Sequence, residues 1–179
     1  MEFGYELKIP KERIAVLIGK NGEIKKELEE ESNSTIEVDS KEGDIKIKGE
    51  DSLKMYELKD VIMAIGRGFN PDIAKLLFRT DYVLEIIQLL DFVPSKQHFE
   101  RVKGRIIGAK GKSRATIEKL TDTFISVYGK TIAIIGESEN VPICRKAVES
   151  LLQGSQHANV YKFLEKNKRR QRQEKAIDW

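Results

Sequence analysis

The chain repeats itself, and the repeat constrains its architecture more than any other feature. Ile18-Gly19-Lys20-Asn21-Gly22 aligns with Ile107-Gly108-Ala109-Lys110-Gly111 at an offset of 89 residues. The offset holds without a gap to Val38 and Val127, pairing Leu28 with Ile117 and Ile36 with Ile125. A two-residue deletion then brings Ile45, Ile47 and Gly49 onto Ile132, Ile134 and Gly136. A chain of 179 residues that uses one segment twice is expected to fold as two copies of a small domain rather than around one large core.

One unit has a readable order. Residues 3–9 alternate as a strand, and 13–18 follow a helical pattern that Gly19 to Gly22 interrupts. Glu23 to Glu31 resumes as a helix rich in good helix formers. Thr35 to Val38 and Ile45 to Lys48 alternate with period two around a turn at 41–44. Asp51 or Ser52 is placed to cap a helix running to about Ile65. The second unit repeats this with a strand at 83–89, helices at 97–107 and 113–121, strands at 123–128 and 131–136, and a helix at 137–152. The order is β-α-α-β-β-α in each, an α+β fold with a three-stranded sheet packed on helices.

The expected boundaries are a first domain at 1–69, a short helical connector at 70–81, a second domain at 82–154 and a basic C-terminal helix or tail at 155–179. The connector holds Leu76, Leu77 and Phe78 in a predicted short helix at about 72–79, so it is expected to pack. Beyond Gly154, Val160, Phe163 and Leu164 are able to dock the start of a helix. The remainder, Lys166 to Arg172 above all, has few apolar residues and is expected to fray.

Charge divides the halves. Residues 1–80 hold 14 basic and 17 acidic side chains, whereas 81–179 hold 18 and 12. Counterion release from a phosphate polymer favours the second half. Around the loops the contrast sharpens. Arg101 to Lys119 carries seven basic residues against Glu118 alone, and Lys11 to Glu31 carries five against six acids. No apolar run approaches a membrane span and the N-terminus lacks signal-peptide character, so a cytoplasmic protein is expected. Cys144 is the sole cysteine and reads as core. His98 and His157 lie far apart with no nucleophile at a recognisable spacing, and acid clusters such as Glu29 to Glu31 read as solvated helix faces. Gly111-Lys112-Ser113 mimics the end of a P-loop, but Ile106 stands where that motif needs its first glycine. No enzyme activity, cofactor or metal is expected.

The glycine pairs carry the chemistry. Glycine lacks Cβ, so a sugar-phosphate backbone is able to approach closely, and each loop opens onto a helix N-terminus that favours phosphate. Paired glycines also make ordinary turns; two pairs, each followed by helix, strand, strand, helix, are a far stronger signal. The arrangement resembles the KH domain, whose GXXG loop clamps about four nucleotides of single-stranded RNA. With the closing helix after the strands, it resembles the type I, or eukaryotic-style, KH fold.

The junction Gly66-Arg67-Gly68-Phe69-Asn70-Pro71-Asp72-Ile73-Ala74-Lys75-Leu76-Leu77 resembles that of the archaeal and eukaryotic Dim/Pno proteins of small ribosomal subunit biogenesis. The intact first loop resembles the archaeal branch. The resemblance implies binding near the 3′ end of small-subunit rRNA, with the rRNA 3′-end endonuclease and the initiation factor two alpha subunit as partners. It implies a groove of Arg105, Ile107, Gly108, Ala109, Lys110, Gly111, Lys112 and Arg114, faced by Ile125. Gly19, Lys20, Asn21, Gly22 and Lys25 form the secondary candidate site. Lys168, Arg169, Arg170 and Arg172 read either as a solvated end or as further RNA contacts. Two alternatives remain at this point: a KH subunit of another RNA-processing or RNA-degrading complex, and a protein-interaction scaffold.

Overall fold

The computed structural model describes residues 1–178, which divide into two units, Met1–Leu84 and Glu85 onward. In the first, β1 (Phe3–Lys8), β2 (Ser34–Asp39) and β3 (Asp44–Gly49) form an antiparallel sheet in the order β1-β3-β2. The strands alternate as written: Ile45 and Ile47 are buried, while Lys46 and Lys48 stay exposed among acidic neighbours at salt-bridge distance. The helices α1 (Lys11–Ile18), α2 (Glu23–Ser32) and α3 (Ser52–Gly66) pack on one another, and α3 covers β1 and β3. Asp51 caps α3 by accepting from the N–H groups of Leu53 and Lys54 at 3.0 and 3.2 Å.

The connector is folded onto α3. Asn70 caps a four-residue helix, α4 (Pro71–Ala74), and a 3-10 turn follows at Lys75–Phe78, shorter and tighter than the single helix expected. Ala74 and Leu77 are buried. Lys75 forms an ion pair with Glu27 of α2.

The second sheet holds β4 (Tyr82–Gln88), which begins three residues before the boundary at Glu85, with β5 (Thr123–Tyr128) and β6 (Thr131–Glu137), in the order β4-β6-β5. The helices are α5 (Phe99–Ile107), α6 (Lys112–Thr121) and α7 (Val141–Leu152). A 3-10 turn at Lys96–His98 precedes α5, and α7 begins four residues later than its apolar pattern implies. The delay comes from a turn in which Asn140 N–H donates to Glu137 O at 2.9 Å, with Pro142 in the first helical turn. The repeat extends to backbone detail: α2 and α6 end on Asn33 and Asp122, both left-handed.

The C-terminal segment departs from expectation. Instead of fraying after Leu164, it forms one helix, α8, over His157–Ile177, packed on α6 and α7. Val160 and Leu164 are buried. Past them polar anchors take over. Lys168 Nζ donates to Lys119 O at 2.9 Å, and Gln171 Nε2 to Asn140 Oδ1 at 3.3 Å. Lys, Arg, Gln and Glu are good helix formers, so the segment needs few apolar contacts once its start is docked. Among the described residues, no helix is long and apolar enough to cross a membrane.

Leu164→Ala tests this docking. It should cost about 2–5 kcal/mol at the α8 contact. Hydrogen exchange should rise across residues 160–171 while β5 and β6 stay protected. Unchanged exchange in α8 would show that Leu164 does not anchor it.

Candidate nucleic-acid interface

The two loops have nearly the same backbone. Gly19 sits at φ 75°, ψ 176° and Gly108 at φ 74°, ψ 176°, a region open in practice to glycine alone. Asn21 and Lys110 are left-handed at φ 57° and 55°, and Gly22 and Gly111 follow at 75° and 73°. The glycines of each pair do different work. A Cβ on Gly19 would lie 2.4 Å from Ile24 Cγ1, and one on Gly108 would lie 2.6 Å from Ser113 Cβ. The first glycine therefore lets the next helix pass directly behind the turn. Gly22 and Gly111 face open space, with nothing within 4 Å of the missing Cβ. These second glycines leave the outer wall free for a ligand backbone.

Each loop delivers the chain into a helix N-terminus, at Glu23 and Lys112, with no side-chain cap on the first N–H groups. Here the copies diverge in a way that charge counts do not show. Glu23 and Lys112 are equivalent by the repeat, so a carboxylate stands in the first turn of α2 where an ammonium stands in α6. Anions at a helix N-terminus satisfy the dipole locally and repel phosphate, whereas Lys112 adds to its attraction. Lys112 and Arg114 are both exposed. The cation one turn further on is paired in both units, Lys25 with Glu29 at 3.1 Å and Arg114 with Glu118 at 3.7 Å, so the exposed cations within the loops themselves are Lys20 and Lys110.

In each unit the helix after the loop packs against the edge strand of the sheet, α2 on β2 and α6 on β5. Ile107 is half-buried beside the loop, whereas Ile125 is only 4% exposed and belongs to the core more than to the surface. Arg105 is turned elsewhere. Its Nε donates to Leu151 O at 3.1 Å and its Nη2 to Ser155 O, so it ties α5 to the end of α7. His157, with Nε2 2.8 Å from Arg105 O, joins the same corner. Arg13 performs this task in the first unit, donating to Ile65 O at 2.8 Å and Phe69 O at 2.9 Å. Lys168 lies at the far end of α6 from the loop, about 12 Å along the helix, where it reaches Lys119 O. Arg169 and Arg170 line a cleft between α7 and α8 with Lys146, Lys162 and Phe163.

Sequence pattern does not single out Glu23, and it brings in Ser113 only as the end of a P-loop mimic. The signal for Glu23 was its equivalence to Lys112 across the repeat. Ser113 Oγ is buried without a hydrogen-bond partner among the described residues, where the first unit has Ile24. Cys144 is buried, and that burial pushes its thiol up to about 11, far from a reactive thiolate.

Comparison with known proteins agrees with this geometry. Residues 83–169 match the family model described as eukaryotic type KH-domain (KH-domain type I), and residues 4–64 match the KH domain. The KH domain-containing protein MJ0443 of Methanocaldococcus jannaschii is 48% identical over 168 residues, covering 92% of this chain and 74% of that protein. RNA-binding protein PNO1 of Oryzias latipes is 36% identical over 114 residues, 63% of this chain but only 47% of the fish protein. A chain in the crystal structure of the a/eIF2alpha–aDim2p–rRNA complex from Pyrococcus horikoshii superposes with a TM-score of 0.89 at 44% identity, covering 94% of this chain and 95% of that one.

Substitution separates the roles of the two glycines. Gly108→Ala, which meets Ser113, should destabilise by more than about 2 kcal/mol. Gly111→Ala, carrying only the left-handed penalty, should cost about 1–2 kcal/mol. Urea denaturation of the two variants measures the difference; equal losses would contradict the division of labour.

Proposed function

Because the chain belongs to the tandem KH-domain family that includes PNO1 and Dim2, we propose that it is a non-catalytic factor holding single-stranded RNA in small ribosomal subunit maturation. Its target on this reading is the 3′ region of small-subunit rRNA. The observation that carries the reading is the second loop: an intact turn, an open outer wall at Gly111, and Lys112 and Arg114 at the N-terminus of α6. Ile107, Gly108, Ala109, Lys110, Gly111, Lys112 and Arg114 form the clamp, with the backbone of Ile125 on the facing edge. Arg105 supports it from behind by fixing α5. The rRNA present in the solved complex of a relative supports the choice of RNA, and the a/eIF2alpha in that complex supports an initiation-factor-two alpha subunit as partner. The endonuclease that trims the rRNA 3′ end is the other partner this role implies. The work takes place in the cytoplasm.

Lys168, Arg169, Arg170 and Arg172 extend the phosphate-binding surface beyond the clamp. They serve RNA longer than the four or so nucleotides one KH loop holds. The first unit has the weaker part in RNA binding, through Gly19, Lys20, Asn21, Gly22 and Lys25. Glu23 at the mouth of its loop favours a second role there, as a surface for a protein partner.

Fluorescence anisotropy with a single-stranded RNA matching the 3′ end of small-subunit rRNA tests the ranking. The pair Ala109→Asp and Lys110→Asp should weaken binding at least about tenfold more than Lys20→Asp with Asn21→Asp. Lys112→Glu should weaken it, and Glu23→Lys should strengthen it. Replacing Arg169, Arg170 and Arg172 by Gln should flatten the salt dependence by roughly 0.7 in log–log slope for each phosphate no longer neutralised. Equal losses at both loops would overturn the assignment of the clamp.

A further inference from the structure

In each unit one glutamate of the helix after the loop accepts from the edge strand, a contact the clamp does not use. β5 is an edge strand, and the N–H of Ile125 points away from β6 and donates to Glu118 Oε2 at 3.0 Å. At the equivalent place in the first unit, Ile36 N–H donates to Glu29 Oε2, also at 3.0 Å. Each carboxylate lies one turn beyond a cation on the same helix face: Arg114 Nε is 3.7 Å from Glu118 Oε1, and Lys25 Nζ is 3.1 Å from Glu29 Oε1. The set of cation, carboxylate and strand N–H is kept in both copies, although the residues inside the preceding loops differ.

Glu118 stands seven residues beyond Gly111 on the helix that starts at the clamp, about 10 Å along its axis. Its side chain is 25% exposed, so it is neither sealed in the core nor free in solvent. An RNA whose backbone is held at the loop lays its next bases along this wall. A negative charge there lowers affinity for any polyanion unless a base donates to it. The strand N–H that a base carbonyl would otherwise use is already occupied by the carboxylate. The wall therefore presents an acceptor, not a donor, beside the guanidinium of Arg114.

We propose that Glu118 is a specificity-determining residue of the RNA groove, accepting a hydrogen bond from the exocyclic amino group of a base and disfavouring a base with a carbonyl at that position. This rests on the reading of the second unit as an RNA clamp. Cytosine and uracil have the same ring framework but differ where it matters: cytosine offers N4–H₂, the group a glutamate accepts, and uracil offers O4. The carboxylate repels that oxygen as it accepts the amino group.

The test uses the full chain and two single-stranded oligonucleotides, oligocytidylate and oligouridylate of equal length. The unsubstituted protein should bind the cytidine chain about tenfold more tightly. Glu118→Gln keeps an oxygen for Ile125 N–H and so keeps the fold, but turns an amide NH₂ outward. It should abolish or invert the preference while leaving the melting temperature unchanged. Amide exchange at Ile125 checks that the strand contact survives. Equal binding of the two oligonucleotides by the unsubstituted protein, or an unchanged preference in Glu118→Gln, would overturn the proposal and leave RNA binding standing. Absence of binding to any single-stranded RNA would remove the clamp reading as well.

Discussion

Everything at the functional face depends on two atoms that are missing, the Cβ atoms of Gly19 and Gly108. With φ near 75° and ψ near 176°, these residues turn the chain so sharply that the following helix lies against the turn itself. A side chain there would meet Ile24 or Ser113 well inside contact distance. Loosen this turn and the N-terminus of α2 or α6 no longer opens beside the end of the preceding helix. The uncapped N–H groups would then lie apart from the open surface at Gly22 or Gly111. Close approach and anion attraction are thus two results of one steric condition.

The frame behind the turn is secured differently, and here the repeat is instructive. In each unit an arginine on the helix before the loop donates to carbonyls at and beyond the end of the closing helix. The two are not equivalent in sequence. Arg13 aligns with Val102, and Arg105 aligns with Val16, one helical turn away. The constraint that survives is physical: helix C-termini carry carbonyls without intrahelical partners, and a guanidinium can satisfy two at once. Either position on the helix reaches them. An alignment registers a substitution at both sites, while the three-dimensional contact is the same.

That case shows why the fold was more legible than the site. Element order follows from period-two and period-3.6 patterns, turn glycines and a cap at Asp51, all of which are local. The loops were legible for the same reason, since positive φ selects its residue types over a few positions. Arg105 was not, because a basic residue near a glycine loop has the same local appearance whether it faces a ligand or a helix end. The ordering of α8 was also hidden. A basic stretch poor in apolar residues reads as a fraying end, but Lys168 and Gln171 find carbonyl and amide partners on α6 and beside α7, which are 49 and 31 residues distant in sequence. Patterns of hydrophobicity carry no record of such polar anchors.

The asymmetry between the copies reduces to few positions. Net charge distinguishes the halves, but much of the first unit's acid is engaged internally: Glu27 with Lys75, Glu29 with Lys25 and Ile36 N–H, Glu37 and Glu6 with the sheet lysines. The exposed cross-strand pairs among these, Glu6 with Lys46 and Glu37 with Lys48, change the local potential little and contribute little stability. What differs at the loop mouth is Glu23 against Lys112, where the helix dipole and the uncapped N–H groups concentrate the effect of a single charge. A duplicated domain keeps its fold through the unchanged glycines, left-handed caps and strand-edge carboxylates, and so tolerates a reversal of charge at that helical position.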